Sequence, residues 1–250
     1  MSQKYNHSRE WIQEKIHNYT FEIKSRKPRE VSLVIDATFF GKRGDKFGLI
    51  AAKDVELKEI VAYNFIESET KEIYLDLITQ IYAKGFQIKG VVLDGKPGIF
   101  SLFKETPIQM CHFHMKAIIS RKLTKNPKLQ PSIELKRIAS HLGSISACRF
   151  EYMLSSWFKR HKEFLDEKIT DESKRGWHYK HKRLRSAYRS LIHFLPYLFT
   201  YQKAPHLNLP TTTNLLDGGC FSPLKDLLKV HRGVSKKMKR KMIVYFLENR

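Results

Sequence analysis

The chain has 250 residues, 42% of them hydrophobic, with a formal net charge of +21 at pH 7. That apolar content supports a packed core and argues against disorder. No run nears the ~18 apolar residues of a membrane span, and the opening MSQKYNHSREW lacks the apolar segment of a secretory signal. In chain order, residues 8–19 (SREWIQEKIHNY) predict a helix capped by Ser8, with Trp11, Ile12 and Ile16 on one face. Residues 31–40 (VSLVIDATFF), 46–54 and 59–68 are β-branched and apolar, and short turns separate them, so they predict an antiparallel meander. Residues 71–85 change to helical period, with Ile73, Tyr74, Leu77, Ile78, Ile81 and Tyr82 in one stripe and Gly85 at the cap position. Residues 88–94 return to strand, a short helix IFSLFKE follows, and 107–112 form a last strand, which makes a mixed sheet with helices packed on it.

Beyond residue 116 the strand signal vanishes. Helical patterns occupy 133–142, 147–165 and 180–201, and the turn-rich NLPTTTNLLDGG leads into two further basic helices. The chain therefore divides into an N-terminal helix (1–29), an α/β core (30–116), an all-helical segment (117–209) and a return to the core (210–250). Cys111, Cys148 and Cys220 are the three cysteines, widely spaced, which argues for a reducing compartment and against a disulfide framework.

The positive charge is clustered. Residues 174–189 and 229–241 each carry seven Lys/Arg and no acid. One such run is commonly a solvated helix face, but two in a chain this basic point to a polyanion, with nucleic acid the expected partner. The candidate phosphate contacts are Lys180, Lys182, Arg183 and Arg185 in the first run. In and just before the second they are Lys225, Lys229, His231, Arg232, Lys236 and Lys237. Neither run has a clean apolar opposite face, which disfavours a membrane surface.

Asp36 and Asp94 each stand near the end of an apolar strand, VIDATFF and VVLDG. A carboxylate there is costly unless it is paired or holds a cation. Two on neighbouring strands suit the two-metal chemistry of phosphodiester displacement, which needs a third acid to complete the set. The alternative is that either acid is a turn or cap residue.

The motifs VIDATFFGKRG, VVLDGKPGIF, PIQMCHFHMK, RKLTKNPKLQPSIELKRIASHL and TTTNLLDGGCFSPLKDLLKVHRGVS, in that order, resemble the Mutator-like DDE transposases and their bacterial insertion-sequence relatives. The resemblance runs from about residue 30 to 247. It implies a ribonuclease H-like fold, an α/β class with a mixed five-stranded sheet and an all-α insertion between the second and third acids. It also implies catalytic, metal-binding acids Asp36, Asp94 and Asp217, where many relatives have Glu at the third position. The cofactor would be two Mg²⁺ (or Mn²⁺) ions. The activity would be hydrolysis at element ends and strand transfer into target DNA. The partners would be double-stranded DNA and further copies of the chain. Relatives carry a larger N-terminal DNA-binding region, of which residues 1–29 look like a remnant, so the chain would be a fragment, a degenerate copy or the partner of a separate end-binding module. The location would be cytoplasmic and nucleoid-associated in a bacterium. A ribonuclease H-like nuclease or resolvase without strand transfer, or an inactive DNA-binding descendant, are the alternatives. Trp157 and Trp177 are candidates for stacking on unpaired bases, with core packing the other reading.

Cys111 and His114 match the family's Cys-x-x-His signature. They are expected to brace the junction of core and insertion and to bring His114 near the metal site or the scissile phosphate. A structural zinc site is not expected, since no second Cys/His pair at zinc spacing lies nearby.

Overall fold

The computed structural model describes residues 7–20, 25–170 and 176–249. Helix α1 (Arg9–Asn18) is capped as expected, Ser8 Oγ accepting from the Trp11 amide at 3.2 Å. The expected face partners Ile12 and Ile16 fall outside the described side chains.

Strands β1 (Glu30–Phe39), β2 (Gly48–Asp54) and β3 (Ile60–Ile66) form the meander. Helix α2 (Lys71–Ala83) follows, then β4 (Gln87–Leu93) and β5 (Ile108–Met110). The sheet is five-stranded in the order β3-β2-β1-β4-β5. β1 to β3 pair antiparallel, and β1, β4 and β5 pair parallel. Short hairpins can join only antiparallel neighbours, so the parallel β1–β4 pair needs the crossover that contains α2. Both sheet faces are covered, which is why β1, β2 and β4 are buried on successive residues and carry apolar side chains on both faces. Leu33, Ile35, Val91 and Leu93 face α2 and its stripe of Tyr74, Leu77, Ile78 and Ile81. Val34, Leu49, Ala51 and Val92 face the other way, onto the C-terminal helices.

The helix expected between β4 and β5 is a single 3-10 turn, Phe100–Leu102. A glycine turn and Pro107 leave too few residues between them to repay helix nucleation. The last strand is also shorter than expected. It ends at Met110, Cys111 caps the next helix, and His112 is already helical.

Helices α3 (His112–Leu123), α4 (Gln130–Ser140), α5 (Ala147–Asp166) and α6 (Lys182–Leu198) pack around their own core of Met115, Ile119, Leu135, Phe150, Leu154, Trp157 and Leu191. The segment is not wholly helical. β6 (Lys168–Thr170) and β7 (Trp177–Tyr179) form a two-stranded antiparallel ribbon between α5 and α6, and their three-residue length leaves almost no periodic signal.

The chain re-joins the sheet through α7 (Thr200–Lys203). Gln109 donates to Leu198 O at 3.1 Å and accepts from the Tyr201 amide at 3.0 Å, which covers the β5 edge. Leu207 and Leu209 then cross the sheet face at Gly90, where a Cβ would lie 3.2 Å from Leu209. The last elements are α8 (Asn214–Leu216), a π-helical turn (Asp217–Phe221), α9 (Ser222–Val230) and α10 (Lys236–Glu248). Among the described residues no helix is long and apolar enough to cross a membrane.

Candidate metal centre at the carboxyl edge of the sheet

The parallel ladder sets the first two acids side by side. Val34 opposite Val92 is the last β1–β4 pair, so Asp36 and Asp94 stand level, two residues further, where the strands part. β1 stays paired with β2 as far as Phe39, and Asp36 is opposite Ala51, so its backbone is rigid. Because side chains alternate, Asp36 points to the face of Val34, against which Leu216, Cys220 and Phe221 pack. That packing delivers the third acid. Asp217 begins the π-helical turn, a helix irregularity often found at functional sites. A Cβ at Gly218 would lie 2.4 Å from Asn214 Oδ1, so any larger residue there would displace the exposed Asn214 side chain.

β5 supplies the fourth group. The Cys111 amide donates to Leu93 O at 2.8 Å, and α3 then starts, so Cys111 as cap and His114 one turn on share a side. The spacing Cys-x-x-His is thus a strand-to-helix corner that turns both side chains toward the acids. Oxygens of Asp36 and Asp217 and a ring nitrogen of His114 all lie within 4.8 Å of one another. Asp94 stands just outside this group. Its Oδ1 accepts from the Lys96 amide at 3.0 Å, yet its charge is felt by Asp36. Gly95, next to it, has φ +86°, a conformation that favours glycine.

Thr213, which the sequence reading did not single out, ties the pieces together. Its hydroxyl donates to Asp217 Oδ2 at 3.0 Å, and its amide donates to Cys111 Sγ at 3.4 Å. It is 1% exposed, and its only trace in the sequence is the Thr run before the third acid. His112, by contrast, has a structural role, its Nε2 lying 2.6 Å from Leu198 O.

The electrostatics are those of crowded carboxylates. Burial, then the charges of Asp217 and Asp94, push the Asp36 carboxyl up to about 7, against the Ala37 amide and His114. Burial also raises Asp94, with Glu69 adding to it. The Cys111 thiol beside His114, together with Asp36 and Asp94, raises the imidazole to about 9 despite its burial. Burial alone pushes the Cys111 thiol up, but the His114 ring and amide and the Thr213 amide outweigh it and hold the thiol below its ordinary value. Asp36 Oδ2 and His114 Nδ1 are buried with no hydrogen-bond partner. Buried carboxylates that repel one another and keep an unused oxygen fit a divalent cation by donor chemistry and by charge.

Some of the basic residues have partners within the chain, and several line clefts. Lys180 pairs with Glu167 at 2.8 Å, and Arg185 pairs with Asp166 at 2.7 Å while lying over the Tyr179 ring, so both serve the β6–β7 ribbon. Lys180 also lines a groove of about 630 Å³ between the α3–α4 loop and the start of α6, with Lys182, Arg183, Lys122 and Lys128. Residues 174–175 of that run lie outside the described residues. Lys225, Lys229, Arg232 and Lys236 line a second cleft, of about 760 Å³, together with Lys239 and the aromatic rings of Phe39, Phe40 and Phe47. His231 and Lys237 are exposed but outside it. Trp177 is 54% exposed, whereas Trp157 is fully buried and donates to Pro131 O at 3.0 Å. Trp157 therefore cannot stack on a base: its ring belongs to the helical core.

Fold and site together define an α/β protein whose mixed sheet carries a carboxylate–imidazole cluster at its carboxyl edge, and whose surface has two basic clefts. No protein-family model matches the chain, and a search of curated proteins finds no similar sequence.

Proposed function

We propose that this chain is a DDE-type DNA transposase with a ribonuclease H-like core, in which Asp36, Asp94 and Asp217 hold divalent cations. One observation carries the reading: three acids from β1, the end of β4 and the turn before α9 approach one sheet edge, and burial and mutual repulsion raise Asp36 to about 7. The strand order β3-β2-β1-β4-β5 and the helical segment between the second and third acids are compatible with it. When bound, divalent cations stabilise the attacking and leaving oxygens of an in-line displacement at phosphorus.

The chain's own residues do the remaining work. Asp36 Oδ2, free of protein partners, is available as a ligand, and Thr213 fixes the rotamer of Asp217. Lys225, Lys229 and Arg232, beyond the Phe39–Phe40 end of β1, would hold the phosphate backbone in register with the acids.

The test uses the purified chain, Mg²⁺ or Mn²⁺, linear DNA bearing the gene's own flanks, and a target plasmid. The expected result is joining of 3′-OH ends to the target, lost in Asp36→Asn and Asp94→Asn. Cleavage without joining would support the nuclease reading in its place, and wild-type-like activity in either variant would refute the assignment of the acids.

A further inference from the structure

The cluster at the sheet edge is not purely acidic, and its nitrogen has consequences for which cation it takes. We propose that His114 is a direct cation ligand, forming with Asp36 and Asp217 a mixed nitrogen–oxygen position that prefers a first-row transition cation to Mg²⁺. This rests on the reading of the carboxylates as a divalent-cation site and adds the ligand that sets its selectivity.

Three observations carry it. The donor atoms of Asp36, His114 and Asp217 lie within 4.8 Å of one another. Donors on opposite sides of one ion at ~2.2 Å are at most ~4.4 Å apart, so a sub-ångström adjustment of side chains closes the set. Asp36 is only 6% exposed, and its Oδ2 is buried without a hydrogen-bond partner. A buried oxygen is rarely left so in a folded protein, and an ion held by Asp36 removes the anomaly. Finally, the ring stands on a rigid element. The start of α3 is pinned by the Cys111 amide to Leu93 O, by the His112 amide to Thr211 O and by the Met115 amide to Cys111 O, at 2.8, 2.8 and 3.0 Å. A site held by backbone in this way is preorganised for a particular donor set.

The selectivity follows from donor softness. Mg²⁺ is a hard ion that takes oxygen ligands and keeps its waters, whereas a neutral imidazole nitrogen, its proton released to solvent as the cation binds, suits first-row transition cations. Asp94, outside the tight group, leaves oxygen donors for a second cation without a nitrogen.

The experiment titrates the full chain with Mn²⁺ and Mg²⁺ in competition, following free Mn²⁺ by electron paramagnetic resonance and bound Mn²⁺ by its nitrogen hyperfine coupling. Wild type is expected to bind Mn²⁺ at least ~10-fold more tightly than Mg²⁺ and to show a directly bound ¹⁴N. His114→Gln is expected to lose that coupling and at least ~10-fold in Mn²⁺ affinity, the lower end of what even outer ligands contribute, with Mg²⁺ affinity nearly unchanged. Bound Mn²⁺ without nitrogen coupling in wild type overturns the inference, and that measurement needs no variant to fold. Unchanged Mn²⁺ affinity in a folded His114→Gln also overturns it. In either case, loss of both cations in Asp36→Asn would leave the carboxylate reading standing. Retention of both in Asp36→Asn would instead remove the cation site itself.

Discussion

At the residue scale Asp36 governs how the cation-free protein responds to pH. Its carboxyl rises from 3.8 to about 7 on folding, and Asp94 moves in the same direction. A folded-state acid that binds its proton more tightly than the unfolded chain stabilises the fold at low pH, and the benefit is lost as pH climbs from about 4 to about 7. Each pH unit of that window is worth up to ~1.4 kcal/mol for one group. Thermal melts in chelator are therefore expected to show wild type losing stability between pH 4 and 7. Asp36→Asn should flatten that loss and melt higher than wild type at pH 8, and a divalent cation should raise the melting temperature of wild type but not of the variant. Thr213→Val is the complementary case. It removes the hydroxyl that orients Asp217 while keeping a residue of similar shape, so activity should fall ~10–100-fold, as when outer partners of metal ligands are removed, with the fold retained by circular dichroism.

At the element scale the two tryptophans test how a helix and a ribbon use the same side chain. Trp157 lies fully buried within α5, between α4 and Tyr188 of α6. Trp157→Ala should cost ~3–5 kcal/mol in denaturant unfolding. Trp177 stands exposed on β7, with Lys168 Nζ 3.9 Å from its ring centre. Its substitution by alanine should leave stability within ~0.5 kcal/mol and weaken single-stranded DNA binding by ~1–3 kcal/mol if a base stacks there. A gel-shift assay beside a melt separates the two expectations.

At the scale of the whole molecule the +21 charge is not spread evenly. Lys180 and Arg185 have carboxylate partners, and two clefts each gather several cations. DNA affinity should fall steeply with salt, by ~0.9 in log–log slope for each phosphate contact. Lys225→Ala, Lys229→Ala and Arg232→Ala combined should reduce that slope by up to ~3 in fluorescence anisotropy titrations. Lys180→Ala should leave it almost unchanged.

The sequence by itself determined the five core strands, the longer helices and the two acids at strand ends, but not the short β6–β7 ribbon or the 3-10 turn between β4 and β5. These signals are local: period 2 and period 3.6 come from backbone geometry within a few residues, and an acid closing an apolar run is conspicuous anywhere. It also marked Cys111 and His114, although it extended β5 by two residues past the corner that makes them face one way. Tertiary structure alone decided what depends on distant partners. A helical stripe shows that a face is buried but not by what, so Trp157 could not be told from Trp177. The convergence of Asp217 on Asp36 depends on Leu216, Cys220 and Phe221 packing against Val34 and Val92. Thr213 gains its role only because the chain returns to Cys111 after 102 residues. A charge run likewise does not reveal its own counter-ions, and only the tertiary structure shows that Lys180 and Arg185 pair with acids beside the ribbon.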